Sequence, residues 1–293
     1  MSTVDFARGN DRLGRRRLVN RGMEVIAWLC TGIAVAILGI VVWSVAKRGA
    51  GAINLDLFTK PYVPFSLGKV GLADAFVGTI VIVLIATAIA LPVGILIAIY
   101  LNEFARPVVR GGVSLALDVL NGIPAIVIGI FVFGLVVVGR GQSAFAGSFA
   151  LSVLMLPLVT RATMEVLALV PSSLREASLG LGVPRWRTTL SIVLPQTIGG
   201  VLTGTTLAVA RIAGETAPLL FTSSIVSHEV SWDPHHALQT VPVAIFQLSE
   251  SPDPKDHARA WAAALVLLLF IMFASMTARW LATRSRRKLR RAG

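Results

Sequence analysis

The sequence has 293 residues, of which 55% are hydrophobic and only 14% are charged. Soluble domains carry about 25% charged residues, so this composition excludes an ordinary soluble protein and favours a chain that crosses a lipid bilayer several times. The formal net charge is +12, and the cations lie beside the apolar segments without interleaved aromatic residues. That arrangement argues against nucleic-acid binding and favours contact with anionic lipid.

Six apolar stretches are long enough to cross a bilayer as helices, which takes about 20 residues each. We therefore predict an all-α integral membrane protein with six transmembrane helices. The stretches are 25–46, 75–101, 113–138, 144–168, 198–223 and 260–282.

With the N-terminus placed inside, 19 of the 27 Lys and Arg residues fall on the side of the two termini and 7 fall on the other side. The positive-inside rule therefore predicts that both termini are cytoplasmic. The chain then divides into a basic N-terminal tail, a first membrane helix, an external loop, a core with five further membrane helices, and a basic C-terminal tail. These parts are residues 1–24, 25–46, 47–74, 75–282 with a second external loop at 224–259, and 283–293.

No segment has the spacing of a catalytic or metal-binding motif. Neither a phosphate-binding P-loop nor a His-Glu-x-x-His site occurs, and the single Cys30 has no second cysteine to pair with. His228, Asp233, His235 and His236 share the second external loop, but no partner cluster exists elsewhere, so we expect a solvated loop rather than a metal site. The sequence predicts no catalysis by this chain alone and no cofactor bound to it.

The connection at 171–195 is the most informative polar segment. Ser173 and Glu176 have the Ser-x-x-Glu spacing of a capping box, in which each side chain satisfies a free backbone N–H at a helix start. Gly182 supplies a stop, so a short helix is predicted at 173–181. The box alone indicates only a structural role for Glu176.

The wider spacing in this segment resembles the EAA loop of ABC-type import permeases. That loop reads Glu-Ala-Ala, three residues, Gly, nine residues and Ile-x-Leu-Pro, and this chain departs from it only at Ser178, which replaces the second Ala. In that family the short helix docks on a separate ATPase subunit and passes its motion to the membrane helices. The resemblance implies a type I, MetI-like permease fold. It assigns ATPase coupling to Glu176, Ala177, Leu181, Gly182, Ile192 and Pro195.

The fifth stretch contains two charged residues, Arg211 and Glu215, one helical turn apart. Charges within a membrane cost from about 2.5 kcal/mol upward, so they normally face a partner or a wet cavity. Two interpretations stay open: the pair neutralises itself, or Arg211 offers its planar fork of donors to an oxyanion while Glu215 compensates it in the empty path. Small residues that permit close helix packing lie on the same side of the predicted helix. They are Gly200, Gly204 and Ala208.

Arg161, near the predicted cytoplasmic end of the fourth stretch, is a further candidate for anion contact. Its long side chain could equally reach to the membrane interface without any such role.

The stretch from Thr203 to Thr222 resembles the signature of phosphate-importer permeases. Its Arg-x-x-Gly-Glu-Thr core lies at 211–216, and the Ala-Pro-Leu-Leu continuation at 217–220 is typical of the A-type membrane subunit. The likeness extends over about residues 70–282. It implies a permease subunit of an ATP-driven inorganic phosphate importer, with Thr216 joining Arg211 and Glu215 on the anion path.

The resemblance also implies a set of partners in a bacterial inner membrane. These are a C-type permease as heterodimer partner, two ATP-binding subunits that use ATP and Mg, and an external phosphate-binding protein. Two alternatives stay open: a permease for another oxyanion such as sulfate, molybdate or tungstate, and a membrane scaffold or sensor in phosphate-starvation signalling. A secondary transporter would show an internal repeat, and none is evident between 25–140 and 144–282.

Overall fold

The computed structural model describes residues 7–64, 70–225 and 229–291, and over those ranges the chain is helical with no strand. Helices suit long apolar segments because they satisfy their own backbone N–H and C=O groups in lipid. The helices are α1 (Ala7–Gly49), α2 (Leu55–Thr59), α3 (Ala73–Ile99), α4 (Pro107–Gly122), α5 (Ala125–Val132), α6 (Ala144–Ala168), α7 (Ser172–Gly180), α8 (Arg185–Thr188), α9 (Leu194–Ile212), α10 (Ala217–Thr222), α11 (Val241–Ser249) and α12 (Pro254–Arg291).

Wider π-helical turns extend three of these helices. They are Tyr100–Phe104 after α3, Phe133–Val137 after α5, and Thr189–Val193 between α8 and α9. A 3₁₀ turn, Ala50–Ala52, follows α1.

Within the described residues, five segments are long and apolar enough to span a membrane, and the bent pair α4–α5 makes a sixth when it is counted as one span. The predicted all-α, multi-spanning fold class is therefore confirmed. The five segments are Arg16–Ala52, Ala73–Phe104, Ala144–Ala168, Arg185–Ile212 and Pro254–Trp280.

Two predicted spans were wrong as continuous helices. The stretch 113–138 bends by 95° between α4 and α5, because Pro124 has no N–H and holds the preceding Ile123 in an extended conformation. The stretch 198–223 is interrupted after Ile212, and Pro218, the second residue of α10, has no N–H with which to continue the hydrogen-bond ladder of α9.

The predicted loops and tails also contain regular structure. The segment 47–74 contains α2, and the segment 224–259 contains α11. The predicted core starts with α3 at Ala73, two residues early, and α12 runs on to Arg291 through most of the predicted C-terminal tail. Apolar length alone could not locate these ends, because short surface helices and helix extensions need no apolar run.

The centre of the bundle is the pair α3 and α6, which run parallel. Ile82 and Leu151 belong to the same fully buried cluster, and further along both helices Gly94 faces Val159. Helix α9 runs antiparallel to α6, and α12 packs on α9, where the Thr203 hydroxyl lies 3.4 Å from the carbonyl oxygen of Ala278.

Among the residues that the structure describes, α1 contacts the other helices near its C-terminal end. There the Arg48 guanidinium lies 5.0 Å from the ring centroid of Trp261, and a Cβ at Gly49 would lie 2.5 Å from the carbonyl oxygen of Trp261. None of the most apolar part of α1 is buried against the described residues.

Candidate functional site

The two helix breaks lie next to one another and enclose a small pocket of about 70 Å³. One wall is the break between α4 and α5, and the other is the break between α9 and α10. Helix α6 supplies the floor. Irregular backbone at membrane depth is tolerated where it is buried in protein or lines a cavity, and this pocket provides such a place. The lining residues are Leu120, Asn121, Ile123, Ala125, Leu154, Leu158, Arg211, Ile212 and Glu215.

The helices that follow the two breaks pack very closely against each other. A Cβ at Gly129 of α5 would lie 2.6 Å from the Cα of Pro218 in α10. Only glycine fits at this crossing, so the relative position of the two breaks is fixed by backbone contact.

Arg211 and Glu215 both line the pocket, but they are not on one continuous helix as predicted. Arg211 lies in the last turn of α9 and is exposed, whereas Glu215 lies in the break. The Glu215 N–H donates to the carbonyl oxygen of Ile212 at 3.0 Å, a tight turn that ends the helix. Across the described ranges, the two side chains form no ion pair or hydrogen bond with each other, which disfavours self-neutralisation as their role.

Thr216 precedes α10 and is partly buried. Its carbonyl oxygen accepts from the N–H groups of Leu219 and Leu220 at 3.1 and 3.2 Å. Its hydroxyl forms no cap hydrogen bond to the helix and is therefore not committed to holding α10 in place.

Arg161 is held by α4. Its guanidinium pairs with the Asp118 carboxylate and donates to the carbonyl oxygen of Ser114 at 2.8 Å. The side chains of Arg161 and Asp118 are 35% and 63% exposed, so the pair is well solvated. The structure therefore gives Arg161 a tie between α4 and α6, and its contact with an anion stays a prediction.

The small residues of α9 face α6. A Cβ at Gly200 would lie 2.5 Å from a Val166 methyl group, and one at Gly204 would lie 2.6 Å from the Cβ of Ala162. Ala208 is buried in the central cluster. Arg211 lies further along the same helix, where α6 forms the floor of the pocket.

The segment 171–195 forms α7, a tight turn and α8. The predicted capping box was wrong: α7 begins one residue early, with Pro171 at the N-cap and no side-chain cap, so Ser173 lies inside the first turn. The predicted stop is present. Gly182 has φ +77°, the N–H of Gly182 donates to Leu179, and the N–H of Val183 donates to Ser178, which is a Schellman motif.

Helix α7 presents an exposed face. Glu176 and Ala177 are exposed, and Leu181 is 84% exposed. Ser178 is buried, and its hydroxyl shares a 2.9 Å hydrogen bond with that of Thr188 in α8. The departure from the EAA pattern therefore adds a tie between α7 and α8.

The remaining EAA positions lie where α8 continues into α9. Ile192 is partly buried in the π-helical turn, and Pro195 is exposed in the first turn of α9.

Sequence analysis missed an ion pair at the base of α7. Arg175 and Glu103 are 72 positions apart, and their side chains meet with an N–O distance of 2.9 Å. The only signal was the adjacency of Arg175 to the Glu-Ala-Ser triplet, and that signal does not identify a partner.

A second polar cluster lies at the opposite end of the bundle from α7. The Tyr62 hydroxyl donates to the Asp256 carboxylate at 3.0 Å, and Asp256 also accepts from Ser251 and Arg259 at 2.7 Å each. Burial, followed by the Asp256 carboxylate, raises the pKa of Tyr62 to about 12. This cluster fixes the connection between α2 and α3 to the start of α12.

The histidines do not form a metal site in the ranges that the structure describes. His236 lies 3.5 Å from Asp233 and both are exposed, and no group of three candidate ligands occurs there. His228 lies outside the described residues.

Comparison with known proteins gives the class of this chain. Residues 90–287 match the model of the binding-protein-dependent transport system inner membrane component family. Helical membrane permeases of solved structure share the fold. A MetNI methionine ABC transporter in an inward-facing conformation gives a TM-score of 0.55 at 19% identity, over 72% of this chain and 94% of that one. A bacterial ABC transporter involved in alginate import also gives 0.55, at 16% identity, over 90% and 98%. The chain is thus a permease subunit of an ABC transporter and a multi-pass membrane protein.

Sequence relatives narrow the class to one family. The phosphate transport system permease protein PstA of Xylella fastidiosa is 38% identical over 93% of this chain and 95% of its own length. The PstA of Yersinia pestis is 40% identical over 82% and 81%, and PstA 1 of Mycobacterium tuberculosis is 36% identical over 93% and 91%. The chain belongs to the PstA family of phosphate transport system permease proteins.

Proposed function

We propose that this chain is one of two membrane subunits that form the path of an ATP-driven inorganic phosphate importer. The observation that carries the proposal is Arg211, a cation with no ion pair to Glu215, placed in a pocket between two broken membrane helices. The relatives at 36–40% identity are named as phosphate transport permeases, which supports phosphate as the transported anion.

The chemistry of the pocket suits a passing oxyanion. The Arg211 guanidinium offers paired N–H donors to phosphate oxygens, and the backbone breaks leave room for an anion at membrane depth. Glu215 on the same pocket keeps the site from holding the anion too tightly, because a carboxylate repels phosphate. Thr216 offers a hydroxyl beside it. The chain supplies binding groups and no covalent chemistry.

The exposed face of α7 is the proposed contact with an ATP-binding subunit. ATP and Mg bind at two such subunits, and their closure moves α7 and changes access to the pocket. A C-type permease completes the path as a heterodimer, and an external phosphate-binding protein delivers the ion. In this proposal the chain lies in the bacterial inner membrane with both termini in the cytoplasm.

Uptake of radiolabelled phosphate in cells that lack their own importer tests this function. The chain is co-expressed with its partner subunits, as wild type, Arg211→Lys or Glu215→Gln. We expect ATP-dependent uptake by the wild type and a loss of about tenfold or more for Arg211→Lys, which keeps the charge but loses the planar fork. Arg48→Lys, at the far end of α1, is the matched control and should retain uptake.

Two results would overturn the proposal. The first is a wild-type complex that does not accumulate phosphate but accumulates sulfate or molybdate. The second is unchanged phosphate uptake in both pocket variants, which would remove Arg211 and Glu215 from the path.

A further inference from the structure

Helix α7 is held to the bundle by few contacts. Ser178 is its only buried residue among those described, and Leu174 and Leu179 are 39% and 40% exposed. Movement of a helix with so few contacts is transmitted only to the elements that those contacts join. These contacts are the hydrogen bond between Ser178 and Thr188, the last residue of α8, and those of the Arg175 side chain.

Arg175 makes the larger set of connections. Its Nε and Nη2 donate to the two carboxylate oxygens of Glu103 at 3.2 and 2.9 Å. Its Nη1 donates to the carbonyl oxygen of Val170 at 2.6 Å, and Nη2 also donates to that of Leu167 at 3.0 Å. Four of the five N–H groups of the guanidinium are therefore used.

These partners belong to the ends of two other helices. Leu167 lies in the last turn of α6, and Val170 lies in the connection that follows α6. Glu103 lies in the π-helical turn that ends α3 and also accepts from the Asn102 side chain at 2.8 Å. Arg175 thus joins α7 to α3 and α6 at once.

The Arg175–Glu103 pair, together with the carbonyl groups that Arg175 contacts, forms a joint that is largely shielded from solvent. The Glu103 side chain is 9% exposed and that of Arg175 is 22% exposed. A bidentate pair between Arg and a carboxylate has fixed geometry, and losing one partner leaves the other charge poorly solvated. Lysine cannot reproduce it, because a single ammonium group cannot reach two carboxylate oxygens and two carbonyl groups in this arrangement.

The joint connects mechanically to the pocket. Helix α6 runs from Leu167 back to Leu158 and Leu154, which line the pocket beside Arg211. Apart from the joint, the described residues link α7 to α6 through the short connection at 169–171, where the N–H groups of Leu169 and Val170 donate to the carbonyl oxygens of Val166 and Leu167 at 3.2 and 3.3 Å and Pro171 has no N–H to donate.

We infer that Arg175 and Glu103 are a positioning pair through which movement of α7 drives α3 and α6, so that the pair couples ATP hydrolysis to transport. The inference rests on the proposed function, because it requires a complex that hydrolyses ATP and moves phosphate.

The test uses the complete complex reconstituted in proteoliposomes, with phosphate accumulated per ATP hydrolysed as the readout. The variants are Glu103→Gln, Arg175→Lys and the double variant of both. Arg110→Gln and Arg185→Gln are matched controls. Both residues line a second pocket of about 400 Å³ together with Arg175 and Glu103, but their side chains make no ion pair within the described ranges.

We expect each single variant to assemble and to hydrolyse ATP. The phosphate moved per ATP should fall by about tenfold, because each variant loses one charged hydrogen-bonding partner. The double variant should lose no more than the single ones, since both residues act in one joint. The controls should stay within about twofold of the wild type. If single variants do not assemble, Glu103→Gln with Arg175→Gln is measured instead, because removing both charges leaves neither unpaired.

A wild-type ratio in every assembled joint variant would overturn the inference, as would an equal fall in the controls or additive losses in the double variant. A wild-type complex without ATP-dependent phosphate uptake would instead refute the proposed function. The two failures are therefore distinguishable.

Discussion

The crossing of α5 and α10 makes a sharp prediction about the pocket. In Gly129→Ala, the new Cβ would lie 2.6 Å from the Cα of Pro218 and 3.1 Å from its carbonyl oxygen. Carbon atoms in contact normally lie about 3.5–4.0 Å apart, so the two helices must separate by about 1 Å. The atoms that must move are backbone atoms, which no side-chain rotation can relieve.

The energetic cost follows from two opposing terms. Overpacking of this kind typically costs about 1–3 kcal/mol, and replacing glycine within a helix recovers about 1 kcal/mol. We expect a net destabilisation of about 1 kcal/mol, measured as a lower Tm of the purified complex. Phosphate uptake should fall more than stability suggests, because Pro218 moves with the break that contains Glu215.

The matched control is Gly134→Ala, five residues further along, where a Cβ would meet nothing within 4 Å. It should retain both stability and uptake. Equal stability and uptake in the wild type and Gly129→Ala would refute the reasoning, as would equal damage from the two substitutions.

Two further predictions concern ties far from the pocket. Ser178→Ala restores the EAA pattern but removes the 2.9 Å hydrogen bond to Thr188, so the Tm of the complex should fall by an amount equivalent to about 1 kcal/mol. Adding Thr188→Val should recover part of this loss. An unchanged Tm in Ser178→Ala would show that the hydrogen bond does not stabilise the complex. Because burial and the Asp256 carboxylate raise the pKa of Tyr62 from its ordinary 10.0 to about 12 in the folded state, its contribution to stability is complete below pH 10 and is lost as the pH rises toward 12. Stability measured from pH 8 to pH 11 should therefore fall less steeply in Tyr62→Phe than in the wild type, and identical slopes would show that Tyr62 does not contribute.

The sequence predicts the number and class of the membrane helices well, because apolar length is a local property. It does not predict which prolines interrupt a helix. Pro92 and Pro157 lie inside α3 and α6, whereas Pro124 and Pro218 lie at breaks. The chemistry of the four residues is the same, so the outcome depends on which neighbours can satisfy the freed carbonyl groups, and a single sequence does not contain that information.

The candidate site also has features that the sequence predicts and features that it does not. Arg211 and Glu215 are conspicuous in the sequence because charge within an apolar stretch is rare, and the structure places both at one pocket. The partners of Arg161 and Arg175 are invisible in the sequence, because Asp118 and Glu103 are ordinary charges near helix ends until the fold brings them together. Local anomalies can be predicted, whereas pairings over long sequence distances cannot.

The contact of α1 with Trp261 has a consequence for biosynthesis. Because the described contacts of α1 lie near its C-terminal end, against α12, its folding partner has not yet been made when α1 leaves the ribosome. At about 5–20 residues per second, Trp261 follows Gly49 by about 10–40 s. During that interval α1 must be stable in lipid alone, which its apolar surface permits. Helix α1 thus enters the membrane well before the span against which it packs.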